Sequence, residues 1–151
     1  MVSDQVTHAI LFYDGVCGLC DRAVQFVLRH DTEGRFRFAA VQSDYARPVL
    51  ARYGRDPRDL DTMYLLLGPG TPHEQLLAKS DAILAILRQL DGAWRLLAAA
   101  CVLPRTLRDR AYDFIARHRY RWFGRYDQCR LPRPEERERF VDADEPAQHV
   151  G

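Results

Sequence analysis

The run His8-Ala9-Ile10-Leu11-Phe12-Tyr13-Asp14-Gly15-Val16-Cys17-Gly18-Leu19-Cys20 decides the fold. Its first half is apolar and rich in strand formers, and Asp14-Gly15 closes it as a turn, so it reads as a buried strand. From Cys17 the period changes: Ala23, Phe26, Val27 and His30 recur at three- and four-residue spacing, as on one face of a helix. Asp31-Thr32-Glu33-Gly34 supplies turn residues, with Gly34 available to end the helix. Residues 35–41 then alternate charged and apolar side chains, the mark of a half-buried strand. The two cysteines therefore fall where the first strand hands over to the first helix.

Further along, residues 47–53 read as a short helix and 62–67 as a third strand. Gly68-Pro69-Gly70-Thr71-Pro72 makes a turn, and 74–78 returns as a fourth, antiparallel strand. Ser80-Asp81 caps a helix running to about Leu90, with Ile83, Leu84, Ile86 and Leu87 as its buried side. The order β-α-β-α-β-β-α, a βαβ unit followed by a ββα unit, resembles the thioredoxin arrangement. The expected fold is α/β, with a thioredoxin-like βαβ-ββα core over 8–92. A helical extension over 93–141 packs on that core, its main helix running from after Pro104 to about Phe123. A disordered tail occupies 142–151.

Length and composition fit one ordinary domain. A chain of 151 residues buries about 70% of its unfolded surface and folds without staples. The formal net charge is +1, so no strongly acidic or basic partner is implied for the whole chain. The N-terminus lacks a basic region, and the apolar run 9–12 is too short for a signal peptide. No stretch approaches the roughly 18 apolar residues that a membrane span needs. The chain is expected to be cytoplasmic, without a membrane partner. Four cysteines in that compartment favour catalytic, metal-binding or incidental roles over a disulfide framework.

A cysteine at a helix N-terminus faces unpaired backbone N–H groups and the positive end of the macrodipole, which favour a thiolate. Cysteines so placed have pKa values of roughly 3.5–7.5. The dipole itself contributes only about 0.3–1 kcal/mol at exposed sites, and Asp14, three residues earlier, opposes it. Cys17 is therefore expected to be modestly acidic and the couple reducing. Cys20, one turn later, is expected to be more buried and to resolve a mixed disulfide formed at Cys17. Asp14 reads either as a proton acceptor for a thiol or as a turn residue. Only one cysteine pair has ligand-like spacing, so no metal site is expected. Cys101, in the apolar run 96–103, reads as core, and Cys129 as a possible accessory thiol.

The segment from Tyr13 to Cys20 resembles the D-x-x-C-x-x-C motif of the DCC family of thiol–disulfide oxidoreductases. Lys79-Ser80-Asp81-Ala82 is similar to that family's S-D-A helix start. Tyr112-Asp113, Arg119-Tyr120 and Phe123-Gly124 are similar to its C-terminal Y-D…R-Y…F-G block, followed by Asp127-Gln128-Cys129. The resemblance implies a thioredoxin-like domain that exchanges disulfides with a protein or a small thiol, with Asp14, Cys17 and Cys20 as the catalytic residues. It implies no bound cofactor, electrons coming from a cellular thiol such as glutathione or thioredoxin. The wider thioredoxin class places a cis-proline before the third core strand; here Asp61-Thr62 stands there, which leaves metal binding open. Thr62, Ser80 and Asp81 are the candidate substrate contacts, the helix start at Ser80 being suited to a carboxylate.

The alternative is a non-catalytic binding module, with a metal-bound cysteine pair or an Arg/aromatic docking surface. Residues 105–130 hold eight Arg against three acids, interleaved with aromatics. The commoner explanation is an amphipathic helix packed through Leu107, Ala111, Ile115 and His118 with its Arg side solvated. Nucleic acid is therefore not an expected partner.

Overall fold

A computed structural model describes residues 8–142 apart from 57, 60, 91 and 126–132. Strand β1 (Ala9–Tyr13) is buried along its whole length and lies in the middle of a four-stranded sheet. It pairs in parallel with β2 (Phe36–Ala40) and antiparallel with β3 (Tyr64–Leu67). β3 pairs antiparallel with β4 (Gln75–Ala78), giving the order β2-β1-β3-β4. This mixed sheet with flanking helices is the thioredoxin-like core expected from the sequence. The parallel β1/β2 pair requires the crossover that α1 (Gly18–His30) provides.

Strand alternation sorts the core into two layers. Leu11, Phe36, Phe38 and Leu65 point to the face covered by α1 and by α3 (Lys79–Gln89), where Val24, Val27 and Ile86 meet them. Ile10, Phe12, Ala39 and Leu66 point to the other face, covered by Val49 and Leu50 of α2 (Ala46–Arg52). A 3₁₀ segment (Gly92–Val102) follows α3, and the long α4 (Arg105–Phe123) packs against α1 and α3.

Several local expectations are corrected. Helix α3 starts one residue before Ser80, directly from β4, with Ala78 as its N-cap and Lys79 in the left-handed region at φ 54°. Ser80 does not cap it, because its hydroxyl donates to Asp109 of α4. Cys101 is exposed rather than core, since the 3₁₀ segment keeps mainly Ala98 buried.

The packing stripe of α4 is also displaced. Leu107 and Ile115 are exposed, and the inward face carries Tyr112, Ala116 and Arg119 instead. Residues 133–142 return to the sheet. Phe140 packs on Phe38 and Tyr13, Val141 N–H donates to Phe38 C=O at 3.0 Å, and Asp142 accepts the Ala40 N–H at 2.9 Å. Asp142, expected in a disordered tail, is therefore held in place, and residues 143–151 lie outside the described ones.

Candidate active site

The turn after β1 is built from its own carboxylate. Asp14 Oδ1 accepts the Val16 N–H at 3.1 Å, and Cys17 N–H donates to Asp14 C=O at 3.2 Å. That turn leaves Cys17 extended as the N-cap of α1, where its Sγ accepts the Cys20 N–H at 3.3 Å. A thiol thus does the work usually left to a Ser or Asp oxygen at this position. The side chain one turn on belongs to Cys20, which puts the second thiol next to the first. Both are free thiols.

This arrangement separates the two sulfurs chemically. The pKa of Cys17 is lowered to about 7, first by the Cys20 thiol, against the effect of burial, and then by the Cys20 backbone N–H. Arg119 lowers it further and Asp14 opposes. The Cys20 thiol is pushed up, first by sharing its proton with Cys17 and next by burial. The acidity of Cys17 is as modest as expected, but its main source is the neighbouring thiol rather than the helix terminus.

Access runs against expectation. Cys17 is 0% exposed and Cys20 is 9% exposed. The cover over Cys17 is backbone: residues 123–125 lie across it, with Gly18 N–H donating to Gly124 C=O at 3.1 Å and a bridge between Cys17 and Arg125. The contact is so close that a Cβ on Gly18 would stand 2.1 Å from Phe123 O. Glycine between the cysteines is what lets this strap lie down.

Asp14 is the centre of a buried polar cluster. Its carboxylate accepts from Val16 N–H, from Gln42 Nε2 at 2.7 Å, from Arg119 Nη2 at 3.1 Å and from the Tyr120 hydroxyl. Arg119 is 3% exposed, and its other arm reaches Asp61 at 2.8 Å. The Tyr120 pKa is raised by burial and by Asp14. In the sequence Arg119 and Tyr120 stand out only as part of the C-terminal block. The signal that could have promoted them is their spacing from Tyr112 and Ala116 along one helix face.

The structure brings Asp14, Cys20, Thr62 and Ser80 to the wall of one cavity. Thr62 Oγ1 donates to Asp59 at 3.0 Å. Asp81 stands apart, paired with Arg108 and Arg105, each at 3.2 Å. Cys129 lies outside the described residues. Among the described residues no group of three His, Cys, Asp or Glu side chains is placed to hold a metal ion, and no helix is long and apolar enough to cross a membrane.

A family model of DCC1-like thiol–disulfide oxidoreductases matches residues 11–125. A Bacillus subtilis (strain 168) relative, uncharacterized protein YuxK, is 37% identical over 141 residues, covering 93% of this chain and 99% of that one. A DCC family protein of Arabidopsis thaliana, described as chloroplastic, is 37% identical over 123 residues, 81% of this chain and 69% of its own length. No solved structure matches.

Proposed function

The chain belongs to the DCC1-like thiol–disulfide oxidoreductase family, and on that premise we propose that Cys17 and Cys20 form a dithiol that reduces disulfides. The observation that carries this reading is the Cys17 sulfur at the N-cap of α1, where it accepts the Cys20 backbone N–H one turn ahead of the second thiol. A thiol with a pKa of about 7 is substantially ionised at neutral pH while keeping much of its nucleophilicity.

In this proposal residues 123–125 lift and Cys17 Sγ attacks one sulfur of the substrate disulfide, expelling the other as a thiolate. Cys20 gives up its proton and attacks the Cys17 sulfur of the mixed disulfide, releasing the second substrate thiolate. Two electrons have then passed to the substrate, and the pair is a disulfide. Asp14 tunes both thiols by its charge and positions Arg119 and Tyr120 around them. The substrate is a disulfide-containing protein or a small disulfide, and a cellular thiol returns the pair to its reduced state. Thr62 and Ser80, in the wall of the cavity that Cys20 also lines, are the proposed substrate contacts on the thiol side of the cycle, with Asp81 following Ser80 in α3. The cytoplasm, where thiols are kept reduced, suits this cycle.

The test is a thiol count across a series of redox buffers, with trapping by Cys20→Ser. Two thiols should disappear and return together, and Cys20→Ser should accumulate a mixed disulfide at Cys17. Stoichiometric zinc on the purified protein, or two thiols that never pair, would sink the reading.

A further inference from the structure

Cys20, itself buried, lines a chamber of about 690 Å³ between α1, α3 and α4, and Cys17 is not among the lining residues. That volume is typical of a site for a small organic molecule. Leu19, Phe26, Ile83, Leu87, Leu107 and Ile115 supply much of its wall. Leu97, Leu103, Leu107 and Ile115 line the chamber and are also exposed at the surface, so its mouth is apolar as well.

Both guanidinium groups in the wall are paired with carboxylates. Arg119 is bonded to Asp14 and Asp61, and Arg108 to Asp81 and Ser80. A ligand carrying carboxylates would meet guanidinium groups already paired with Asp14, Asp61 and Asp81, among alkyl side chains that cannot solvate it. An aliphatic ligand would displace poorly held water from the same surface at no such cost.

We propose that this chamber binds an aliphatic thiol, which restores the reduced enzyme by attacking Cys20 of the Cys17–Cys20 disulfide. The inference rests on the dithiol cycle above and names its reductant. The two sulfurs then serve two substrates from two sides: the disulfide to be reduced meets Cys17 beneath the strap, and the reductant meets Cys20 in the chamber. A thiolate RS⁻ in the chamber bonds to Cys20 Sγ, the Cys17–Cys20 bond breaks, and Cys17 leaves as a thiolate. A second RS⁻ attacks the R sulfur of the mixed disulfide, releasing RSSR and the Cys20 thiolate, which takes up a proton. Two electrons pass from two RSH to the protein. As Cys17 leaves, its thiolate is still met by the Cys20 backbone N–H and faces the Arg119 charge, both of which favour the anion.

The test uses the oxidised full-length protein and a series of alkanethiols from ethyl to hexyl, with glutathione alongside, compared at equal thiolate concentration. Each methylene buried in the chamber should raise the reduction rate at low donor concentration by up to about fourfold. Glutathione should fall well below the hexyl member. Octanamide, which has the chain without the sulfur, should compete with the hexyl thiol. Ala23→Leu, which adds bulk one turn after Cys20 in the chamber wall, should flatten the chain-length series. A series already flat in the wild type, or glutathione outpacing hexanethiol with no effect of octanamide, would overturn the chamber as the reductant site. Failure of the underlying cycle looks different: no Cys17–Cys20 disulfide forms, and no donor has anything to reduce.

Discussion

Replacing Arg119 by Met should test whether the buried cluster around Asp14 holds the active-site end of α4 to the sheet. The guanidinium pairs with two carboxylates, and the two pairs are unequal. Asp61 is 66% exposed in its side chain, so that arm counts as a surface pair worth at most about 1 kcal/mol. The Asp14 arm is different, with both side chains almost wholly buried, 4% and 1% exposed. Removing one partner of such a pair costs about 3–5 kcal/mol, because the other is left uncompensated. Asp14 keeps Val16, Gln42 and Tyr120 as donors, which argues for the lower end, about 3 kcal/mol. In a chain of 151 residues that corresponds to a fall in Tm of roughly 6–12 °C.

Equilibrium urea unfolding of Arg119→Met, Asp14→Asn and the double variant measures this directly. The double variant should be clearly more stable than the sum of the two losses predicts, since it leaves no lone charge behind. Arg119→Met should also raise the Cys17 pKa, because the guanidinium is one of the groups that lowers it. A loss under about 1 kcal/mol, or strict additivity in the double variant, would refute the claim that this pair is a buried anchor.

Alkylation of reduced protein by iodoacetamide should show a midpoint near pH 7 for Cys17, and Cys20→Ala should move that midpoint upward by removing the thiol donor. The sign for stability follows: a thiol lowered from 9.0 to about 7 on folding stabilises the protein above the unfolded value, and that stabilisation fades as pH falls through 7. Urea titrations of wild type against Cys17→Ala between pH 9 and 6 check it; a constant difference between them contradicts it. Gly18→Ala, whose new Cβ would meet Phe123 O at 2.1 Å, should lift the strap and speed Cys17 alkylation while costing about 1–3 kcal/mol. An unchanged alkylation rate would mean that residues 123–125 are not what hides the thiol. Phe140→Ala should cost about 3–5 kcal/mol in the same urea assay, as for a core phenylalanine, and a loss below about 1 would show that the C-terminal return is only a surface contact.

The parts of the fold legible in the sequence were those governed by local period. The strand 9–13, the helix after Cys17 and the hairpin around Gly68 each sit within a residue or two of where alternation and helical spacing place them. What escaped was non-local. Helix α4 carries Arg on nearly every face, so spacing alone could not tell that Arg119 turns inward; the distant carboxylates of Asp14 and Asp61 make that burial tolerable. The stripe through Leu107 and Ile115 was apolar for a different reason, since it borders the chamber. The ordering of Cys17 and Cys20 by exposure was likewise unreadable, because it depends on a strap a hundred residues away and on the missing Cβ of Gly18. The acidity of Cys17 could be read in direction and size but not in origin.

The return of residues 139–142 has a consequence for how the molecule meets its own copies. β2 is an outermost strand of the sheet, and the backbone groups on its free side could template an incoming strand from another chain. Here Arg139 Nε occupies Phe36 C=O, Val141 N–H occupies Phe38 C=O, and Asp142 occupies Ala40 N–H. The docking sites for intermolecular strand addition are thus filled from within, by a segment whose Phe140 also covers the flanking aromatic rings. Proteolytic loss of that segment would leave a sticky, fibril-prone margin on a protein whose Cys17 and Cys20 were untouched.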